Sequence, residues 1–323
     1  MRVVVVDKPI GPSSHDVVAR ARRVLGTRRV GHAGTLDPLA SGVLVLLADE
    51  ATKLAPFLSG AEKRYLAWVA FGVGTPTLDA EGPVERQVDA GDLAPEQVEA
   101  ALPPFLALRE QRPPAYSAVQ RQGERAYAAA RSGRELDLPP RPARYHALEL
   151  LAWRSAGAPR ACALRHGPGG WEPLFEPPSP SDARVRDLTL PASLAPAPVA
   201  VLRVAVAAGT YVRALARDLG EALGVPAHLA GLVRTGAGRA ELSQAAALEA
   251  IADAAPLDPL ALLPYQRVVL DAGTARDVRD GKRPSAEWTG RAVLSDERGA
   301  LVAIAESLGG RVKTLRVWRP DQG

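Results

Sequence analysis

One stretch of the chain combines residue types used in catalysis with a backbone that could hold them still. Residues 29–44 read RVGHAGTLDPLASGVL, so a histidine, a threonine and an aspartate stand among three glycines. Asp37 directly precedes Pro38, which disfavours a helical conformation for the aspartate. Because an apolar run follows Gly42, the pattern predicts one carboxylate on a stiffened loop that enters a buried strand. Such a carboxylate could act as a nucleophile or a base, although an aspartate before proline more often only closes a turn.

Two further segments combine polar residues with regular structure. Residues 63–71 read KRYLAWVAF and alternate like a strand with one buried face, which makes Tyr65 a core or edge aromatic on pattern alone. Residues 209–213 read GTYVR; they follow a predicted strand over 199–206 and continue into an amphipathic helix. An arginine in the first turn of such a helix is most often exposed. The pattern by itself therefore gives Tyr65 and Arg213 no chemical role.

The elements that must position these residues begin at the N-terminus. Residues 3–6 are four valines and predict a strand. Ser13 followed by Asp16 fits a capping box, and the helix that it opens should end near Gly26. Residues 1–31 hold seven basic and two acidic side chains, a net charge of +5. That charge favours contact with phosphates or marks an ordinary solvated face, and the count does not separate the two.

Composition places the chain among globular proteins with one large domain or two. Of 323 residues, 47% are hydrophobic and 24% charged, and the net charge of +4 permits a polyanionic partner without demonstrating one. The single Cys162 excludes an internal disulfide and a cysteine metal cluster. The five histidines lack ligand spacing and no Walker loop is present, so we expect no metal or nucleotide cofactor. Without a signal peptide or membrane-spanning run, we expect a cytoplasmic protein.

An insertion interrupts the second half of the chain. Residues 154–198 contain nine prolines and four glycines, a composition that buries little surface. We predict an extended or partly disordered loop there, serving as a passive linker or as an extra contact to a partner. Further on, Ser243 predicts a cap for a helix running to Ala254.

The C-terminal residues 266–323 predict a small β-rich domain that is separate from residues 1–265. Short alternating segments recur there between glycines, at residues 268–270, 292–294, 301–305 and 313–317.

Several of these segments resemble one enzyme family. Residues 31–44 strongly resemble the nucleophile motif of the bacterial tRNA pseudouridine synthase B (TruB) family, and residues 209–220 resemble a second motif of the same family. Residues 7–11, which read DKPIG and are followed by Ser13 and Ser14, resemble the first motif of the family, and residues 63–65, which read KRY, resemble another. Residues 154–198 resemble nothing in the family.

The resemblance implies specific roles. Asp37 would be the catalytic nucleophile, Arg213 its ion-pair partner, and Tyr65 the ring that stacks on the target base and assists the final proton removal. A guanidinium beside a carboxylate favours the ionised form and can fix it through two parallel hydrogen bonds. The residues implied in substrate binding are His32, Tyr65, Tyr211, Leu232 and, most weakly, Asp79.

The resemblance also implies the fold and the reaction. The expected fold is α+β, with a mixed, mainly antiparallel sheet and flanking helices in a catalytic domain over residues 1–265. Residues 266–323 would form a PUA-like β-barrel that binds the acceptor end of tRNA. The enzyme would isomerise uridine 55 in the T arm after flipping the base out, as a monomer and without a cofactor.

Alternatives remain open at this level. Asp37 could attack the ribose anomeric carbon or the uracil ring, and the sequence does not choose between them. A non-catalytic RNA-binding protein or tRNA-folding chaperone could share the scaffold. A hydrolase that uses Asp37 with His32 is a third possibility, but it lacks the second positioned acid or base that such chemistry needs.

Overall fold

The computed structural model describes residues 1–121, 123–134, 136–155, 161–174, 185–189 and 198–319. The strands are β1 (Arg2–Lys8), β2 (Val30–His32), β3 (Ala40–Ala48), β4 (Lys63–Phe71), β5 (Val73–Gly74), β6 (Arg86–Gln87), β7 (Glu110–Gln111), β8 (Gln120–Arg121), β9 (Glu124–Arg125), β10 (Arg141–Pro142), β11 (Tyr145–Arg154), β12 (Ala161–Gly167), β13 (Gly170–Leu174), β14 (Val185–Thr189), β15 (Val199–Val206), β16 (Ala227–Ala237), β17 (Ala240–Glu241), β18 (Ala246–Ala247), β19 (Gln266–Leu270), β20 (Gly290–Asp296), β21 (Leu301–Leu308) and β22 (Arg311–Val317). The α-helices are α1 (Ser14–Val24), α2 (Ala55–Leu58), α3 (Pro95–Ala101), α4 (Pro103–Ala107), α5 (Ala126–Arg131), α6 (Val212–Ala222), α7 (Pro259–Leu262) and α8 (Ala272–Arg279). Short 3₁₀ turns cover Asp49–Leu54, Leu242–Gln244 and Leu248–Ala250.

A nine-stranded sheet forms the centre of the molecule. Its strands run in the order β11-β15-β4-β16-β3-β1-β18, with β2 beside β3 and β17 beside β16. The β16–β3 and β1–β18 pairs are parallel and the other pairs are antiparallel. This arrangement confirms the predicted mixed, mainly antiparallel sheet. Its parallel β16–β3 pair brings the strand after α6 beside the strand that follows Asp37.

The two faces of this sheet bury different sets of side chains, because alternate residues of a strand point to opposite sides. The front face carries α1 and α6 and includes Val4, Val6, Leu44, Leu46, Ala67, Val69, Leu202 and Val204. The rear face includes Val3, Val5, Val43, Val45, Leu66, Trp68, Val199 and Val201. The prediction of one buried face for β4 was therefore wrong, since both of its faces are covered.

Helix α1 follows the predicted signals closely. The Ser13 side chain accepts a hydrogen bond from the Asp16 backbone, and the Asp16 side chain accepts one from the Ser13 backbone, which confirms the capping box. Gly26 stands just beyond the C-cap residue Leu25 at φ +64°, a conformation that glycine adopts without strain.

Part of the insertion is folded, contrary to the prediction of an extended loop. Strands β12, β13 and β14 form a separate sheet in the order β13-β12-β14. Leu164 and Trp171 from this sheet are buried against the rear face. The apolar side chains of the insertion thus bury surface against the central sheet, which the proline and glycine content did not reveal. Residues 156–160, 175–184 and 190–197 of the insertion lie outside the described part of the chain.

The predicted helix from Ser243 to Ala254 was also wrong. Two short 3₁₀ turns occupy the segment, at Leu242–Gln244 and Leu248–Ala250, and between them β18 pairs in parallel with β1. Pairing with a strand from the other end of the chain overrides the local helical preference here.

The C-terminal module, defined here as residues 266–319, is a small β-rich unit as predicted. Its four strands run in the order β19-β20-β21-β22, and α8 packs on them. Between residues 266 and 319, all of which the structure describes, no pairing of β19 with β22 closes the sheet into a barrel. Ile304 and Trp318 are buried with the rear face of the central sheet. Within the described ranges, no helix has the length and apolar character needed to cross a bilayer.

Candidate active site

Asp37 lies in the loop between β2 and β3, at the edge of the front face. Its side chain is 40% exposed, so the carboxylate is accessible although its neighbours Leu36 and Leu39 are buried in the front core. An accessible carboxylate between two buried leucines is anchored on both sides, which suits a group that must attack from a fixed position.

A buried arginine on β16 binds the backbone of this loop. Arg234 is 1% exposed and donates from Nη2 to the Gly34 carbonyl (2.9 Å) and from Nη1 to the Thr35 carbonyl (3.1 Å). Its Nε donates to the Val43 carbonyl at 2.7 Å, so a single guanidinium joins the loop to β3. Gly42 has φ +98°, and a Cβ there would lie 2.3 Å from the Arg234 carbonyl oxygen. Only glycine allows the two strands to approach this closely.

A buried lysine holds the other end of the loop. Lys8 is fully buried at the end of β1 and donates from Nζ to the carbonyls of Pro9 (2.9 Å), Pro12 (2.7 Å) and Pro38 (3.4 Å). Burial lowers the pKa of Lys8 to about 8, an effect that the Asp37 carboxylate opposes. Two buried cations therefore lie under the Asp37 loop and stabilise the carbonyls that face them.

Arg213 contacts Asp37 directly. It lies in the first turn of α6, and its Nε is 2.9 Å from Asp37 Oδ2. Its two terminal nitrogens donate elsewhere, Nη1 to the Thr77 carbonyl (2.9 Å) and Nη2 to the Tyr116 carbonyl (3.0 Å). The structure thus forms the predicted pair but through one nitrogen, and the expectation of two parallel bonds was wrong. The reason is that two loop carbonyls occupy the outer end of the guanidinium.

Asp79 lies behind Arg213 and not on an open surface. Its side chain is 4% exposed, and Oδ2 is 3.7 Å from Arg213 Nε. Oδ1 accepts hydrogen bonds from Thr77 Oγ1 (2.6 Å) and from the Glu81 backbone (3.1 Å). Burial raises the pKa of Asp79, against the lowering effects of Thr77 and Arg213. Leu78 beside it has φ +62°, a strained conformation for leucine that the surrounding contacts maintain.

Tyr65 and Leu232 lie on neighbouring strands of the front face. Tyr65 on β4 is half-buried, packs against the front core and is the register partner of Arg234 on β16. Leu232 is buried two residues earlier on β16 and is paired with Ala40 of β3. The two residues therefore lie close to the arginine that supports the Asp37 loop.

His32 ends β2, ahead of the Asp37 loop. Burial, together with the charges of His15 and Arg234, lowers the pKa of the His32 imidazole. The ring packs edge-to-face on His15 with centroids 6.2 Å apart. No hydrogen bond joins His32 to Asp37 in the described part of the chain, so the geometry offers nothing to the hydrolase alternative.

Tyr211 immediately precedes α6. Its backbone N–H donates to Gln111 Oε1 at 3.0 Å, and its ring packs against a small cluster of Val119, Ala126 and Leu138. The structure therefore places Tyr211 between the Arg213 helix and the cluster of Val119, Ala126 and Leu138.

Sequence reasoning missed two residues that shape this site, Lys8 and Arg234, as supports of the Asp37 loop. Arg234 had a usable signal, because it is a charged residue directly after the apolar run of residues 229–233, which reads LAGLV. Lys8 had no such signal, because it lies at the end of a strand and before a proline, where a solvent-exposed lysine is common.

The assembled site is suited to nucleophilic or general-base chemistry by one carboxylate. Asp37 and Asp79 both contact Arg213, and Tyr65 and Leu232 lie on the adjoining strands. In the described residues, no three His, Cys, Asp or Glu side chains are grouped to hold a metal ion.

Comparisons with known proteins identify the relatives of this chain. The model of the TruB family pseudouridylate synthase N-terminal domain matches residues 22–165. The tRNA pseudouridine synthase B of Deinococcus radiodurans is 48% identical over 320 residues, covering 98% of this chain and all of that protein. The proteins of the same name from Thermus thermophilus and Mycobacterium tuberculosis are 48% and 38% identical; they align with 99% and 98% of this chain, and with 100% and 96% of their own lengths.

Solved structures with the same fold include a chain of a Cbf5-Nop10-Gar1 complex. That chain has a TM-score of 0.66 and 22% identity, with 99% of this chain and 85% of its own length covered. A chain of an H/ACA RNP bound to a substrate RNA containing 2'-deoxyuridine gives a TM-score of 0.63 at 21% identity, with 99% of this chain and 86% of its own covered. At these identities the likeness concerns the fold.

Proposed function

Because the chain belongs to the TruB family of pseudouridylate synthases, we propose that it converts a uridine of tRNA into pseudouridine. The name tRNA pseudouridine synthase B, shared by relatives that align over almost the whole chain, supports tRNA as the substrate. We take the target to be uridine 55 in the T arm. The reaction moves a base within one nucleotide, so it calls for no redox or group-carrying cofactor.

The observation that carries the proposal is the setting of Asp37. Its carboxylate is 40% exposed, yet it is paired with Arg213 at 2.9 Å. Buried Arg234 and Lys8 bind the backbone on either side of it. A paired, oriented and accessible carboxylate on a fixed loop is what covalent or general-base attack on a nucleotide requires.

The chemistry follows from that carboxylate. Asp37 attacks the flipped nucleotide at the anomeric carbon or at the ring, or abstracts a ribose proton on the glycal route, and the bond between N1 of uracil and the ribose breaks. The uracil turns, its C5 bonds to the ribose, and a base removes the C5 proton. All of these routes release that proton, so its release measures the reaction without choosing among them.

The remaining residues would bind and orient the nucleotide. Tyr65 is half-buried on the front face, and an accessible ring edge or face there suits stacking on a flipped base. We assign Leu232, His32 and Tyr211 to the walls of the same pocket. Asp79, which is buried behind Arg213, would act through that arginine and not by touching tRNA.

The partner assignment extends beyond the pocket. We propose that residues 1–265 bind the T-arm stem-loop and that residues 266–323 bind the acceptor end of the same tRNA. Basic side chains on β22 support the second contact, namely Arg311, Lys313 and Arg316, all of which are exposed. We further propose that the protein works as a monomer in the cytoplasm.

The test is tritium release from an unmodified tRNA transcript labelled at C5 of its uridines. We expect one equivalent of tritium per tRNA, and none from a transcript in which uridine 55 is replaced by cytidine. Binding without release would support the alternative of an RNA-binding protein or chaperone. Release from the cytidine-55 transcript would contradict the assigned position while leaving the activity intact.

A further inference from the structure

Ser14 makes a contact with the Asp37 loop that the helix does not need. It is the first residue of α1 and is 1% exposed. Its Oγ accepts a hydrogen bond from the Leu36 backbone N–H at 2.8 Å and donates one to the Leu36 carbonyl at 2.9 Å. A single hydroxyl thus binds both backbone groups of the residue directly before Asp37. Because a hydroxyl has one proton, its donor capacity is fully used by this pair.

This contact completes a continuous set of hydrogen bonds along the loop. The carbonyls of five consecutive residues each accept at least one: Gly34 and Thr35 from Arg234, Leu36 from Ser14, Asp37 from the Ala40 backbone, and Pro38 from the Gly11 backbone and Lys8 Nζ. Ser14 binds the central carbonyl of the five, which belongs to the peptide that joins Leu36 to Asp37. Without the Ser14 hydrogen bond, the Leu36–Asp37 peptide would be less firmly held, and this peptide sets the position of the Asp37 Cα atom.

The neighbouring serine has an entirely different task, which provides an internal comparison. Ser13 Oγ accepts from the Asp16 backbone (3.2 Å) and donates to Asp16 Oδ2 (2.6 Å). Ser13 therefore caps α1 and contacts nothing in the loop through these bonds. Of the two adjacent serines, Ser13 therefore stabilises the helix and Ser14 binds the loop.

We propose that Ser14 is a positioning residue for the isomerisation: its hydroxyl fixes the Leu36–Asp37 peptide and thereby aims the Asp37 carboxylate at the nucleotide. This inference rests on the function proposed above. The accessible part of the site does not include Ser14, since the side chain is buried, so it acts through Asp37 and leaves RNA binding unaffected. Misplacing a catalytic group by about 1 Å is enough to cost roughly a hundredfold in rate.

The experiment compares Ser14→Ala, Ser14→Cys and Ser13→Ala with the wild type. We measure the single-turnover rate of tritium release, the affinity for a T-arm stem-loop, and the hydrogen exchange of the Leu36 amide. Ser14→Ala should lower the rate by about tenfold to a hundredfold, with affinity within about twofold, and should speed the exchange of the Leu36 amide. Ser14→Cys keeps a weak donor and acceptor of similar size and should recover part of the rate. Ser13→Ala should lower the melting temperature but leave the rate and the Leu36 exchange near wild type.

The outcomes separate this inference from the proposed function. An inactive wild type would reject the proposed function and, with it, the role of Ser14. An active wild type with a Ser14→Ala rate equal to that of Ser13→Ala would reject the inference alone. Equal losses of rate and affinity in Ser14→Ala would also reject it, because a positioning residue should not carry RNA binding. If Ser14→Ala fails to fold, the rate and Leu36 exchange of Ser14→Cys decide in the same way.

Discussion

The front and rear faces of the central sheet are built from the same strands, yet their polar side chains bond to different kinds of partner. On the front face, buried Arg234, Lys8 and Ser14 bind the backbone of a single loop. On the rear face, Asp7 pairs with Arg186 of the insertion, with Nε–Oδ2 at 2.5 Å and Nη2–Oδ1 at 2.6 Å. The front contacts fix one carboxylate, whereas the rear contacts dock added modules.

The docking of the C-terminal module shows the same logic on the rear face. Trp318 is buried and its Nε1 donates to the Glu50 carbonyl at 3.0 Å, while Lys53 Nζ lies 3.4 Å from the Val317 carbonyl. Apolar area supplies most of the attachment there, and a few polar bonds set its orientation. The comparison teaches that front-face substitutions should change rate and rear-face substitutions should change stability.

The largest expected effect comes from replacing one carboxylate by an amide, and the same replacement is compared on the two faces of the sheet. Asp37→Asn removes the proposed nucleophile without changing the shape of the side chain, so tritium release should fall by at least about a thousandfold while tRNA affinity stays near wild type. Asp7→Asn is the matched rear-face change: it should weaken the pair with Arg186 and lower the melting temperature, with the rate within about threefold. Activity of Asp37→Asn above about a tenth of wild type would contradict the assigned nucleophile.

The next effect concerns the arginine that pairs with Asp37. Arg213→Lys keeps the charge but cannot reach Asp37 and the carbonyls of Thr77 and Tyr116 together, so we expect a single-turnover rate lower by roughly a hundredfold. Arg217→Lys, four residues later on α6, is the control, since its Nε and Nη2 contact Asp218 and not the site. If the single-turnover rate of Arg213→Lys equals that of Arg217→Lys, the planar guanidinium of Arg213 is not required for catalysis.

A third prediction tests whether the C-terminal module binds a part of the tRNA that residues 1–265 do not bind. Replacing Arg311, Lys313 and Arg316 by glutamate should weaken full-length tRNA binding roughly tenfold at low salt, because cations that would face phosphates are reversed. Affinity for an isolated T-arm stem-loop should change by less than about twofold, since the stem-loop lacks the acceptor end. Equal losses on both RNAs would argue against a separate acceptor contact. Fluorescence titration over a range of salt concentrations measures both quantities.

The smallest effect is a pH dependence on the rear side of β16. His228 is buried, its Nδ1 lies 2.9 Å from the Val73 carbonyl, and burial lowers its pKa. The unfolded chain therefore takes up a proton before the folded chain does as the pH falls below about 6.5, so stability is lost on acidification. His228→Gln keeps a donor but does not titrate, and should reduce the loss of melting temperature between about pH 7.5 and 5.5 by about 2 °C.

The control for this pH prediction is the exposed histidine on β11. His146→Gln makes the same replacement at an exposed position and is measured in parallel, and both variants should keep the wild-type rate near neutral pH. An unchanged pH response in His228→Gln would show that protonation of the buried ring does not limit acid stability.

Local signals in the sequence were enough for the elements whose contacts are local. The capping box of Ser13 and Asp16, the strand of valines at the N-terminus and the buried strand after Gly42 are all present in the structure. These features depend on side chains a few positions apart, whose periodicity is visible in the chain. The same reasoning failed for the predicted helix from Ser243, where β18 pairs with β1 from the opposite end of the chain.

The sequence by itself determined which residues are brought to the site: the Asp37 and Arg213 segments resemble one family, and the structure joins them at 2.9 Å. Only the tertiary structure decided how they are held. Arg234 binds a carbonyl that lies 200 positions away in the sequence, and Arg213 donates from two of its nitrogens to carbonyls of distant loops. A buried donor takes whichever acceptor the fold presents, and that choice depends on packing between remote segments, which no local pattern records.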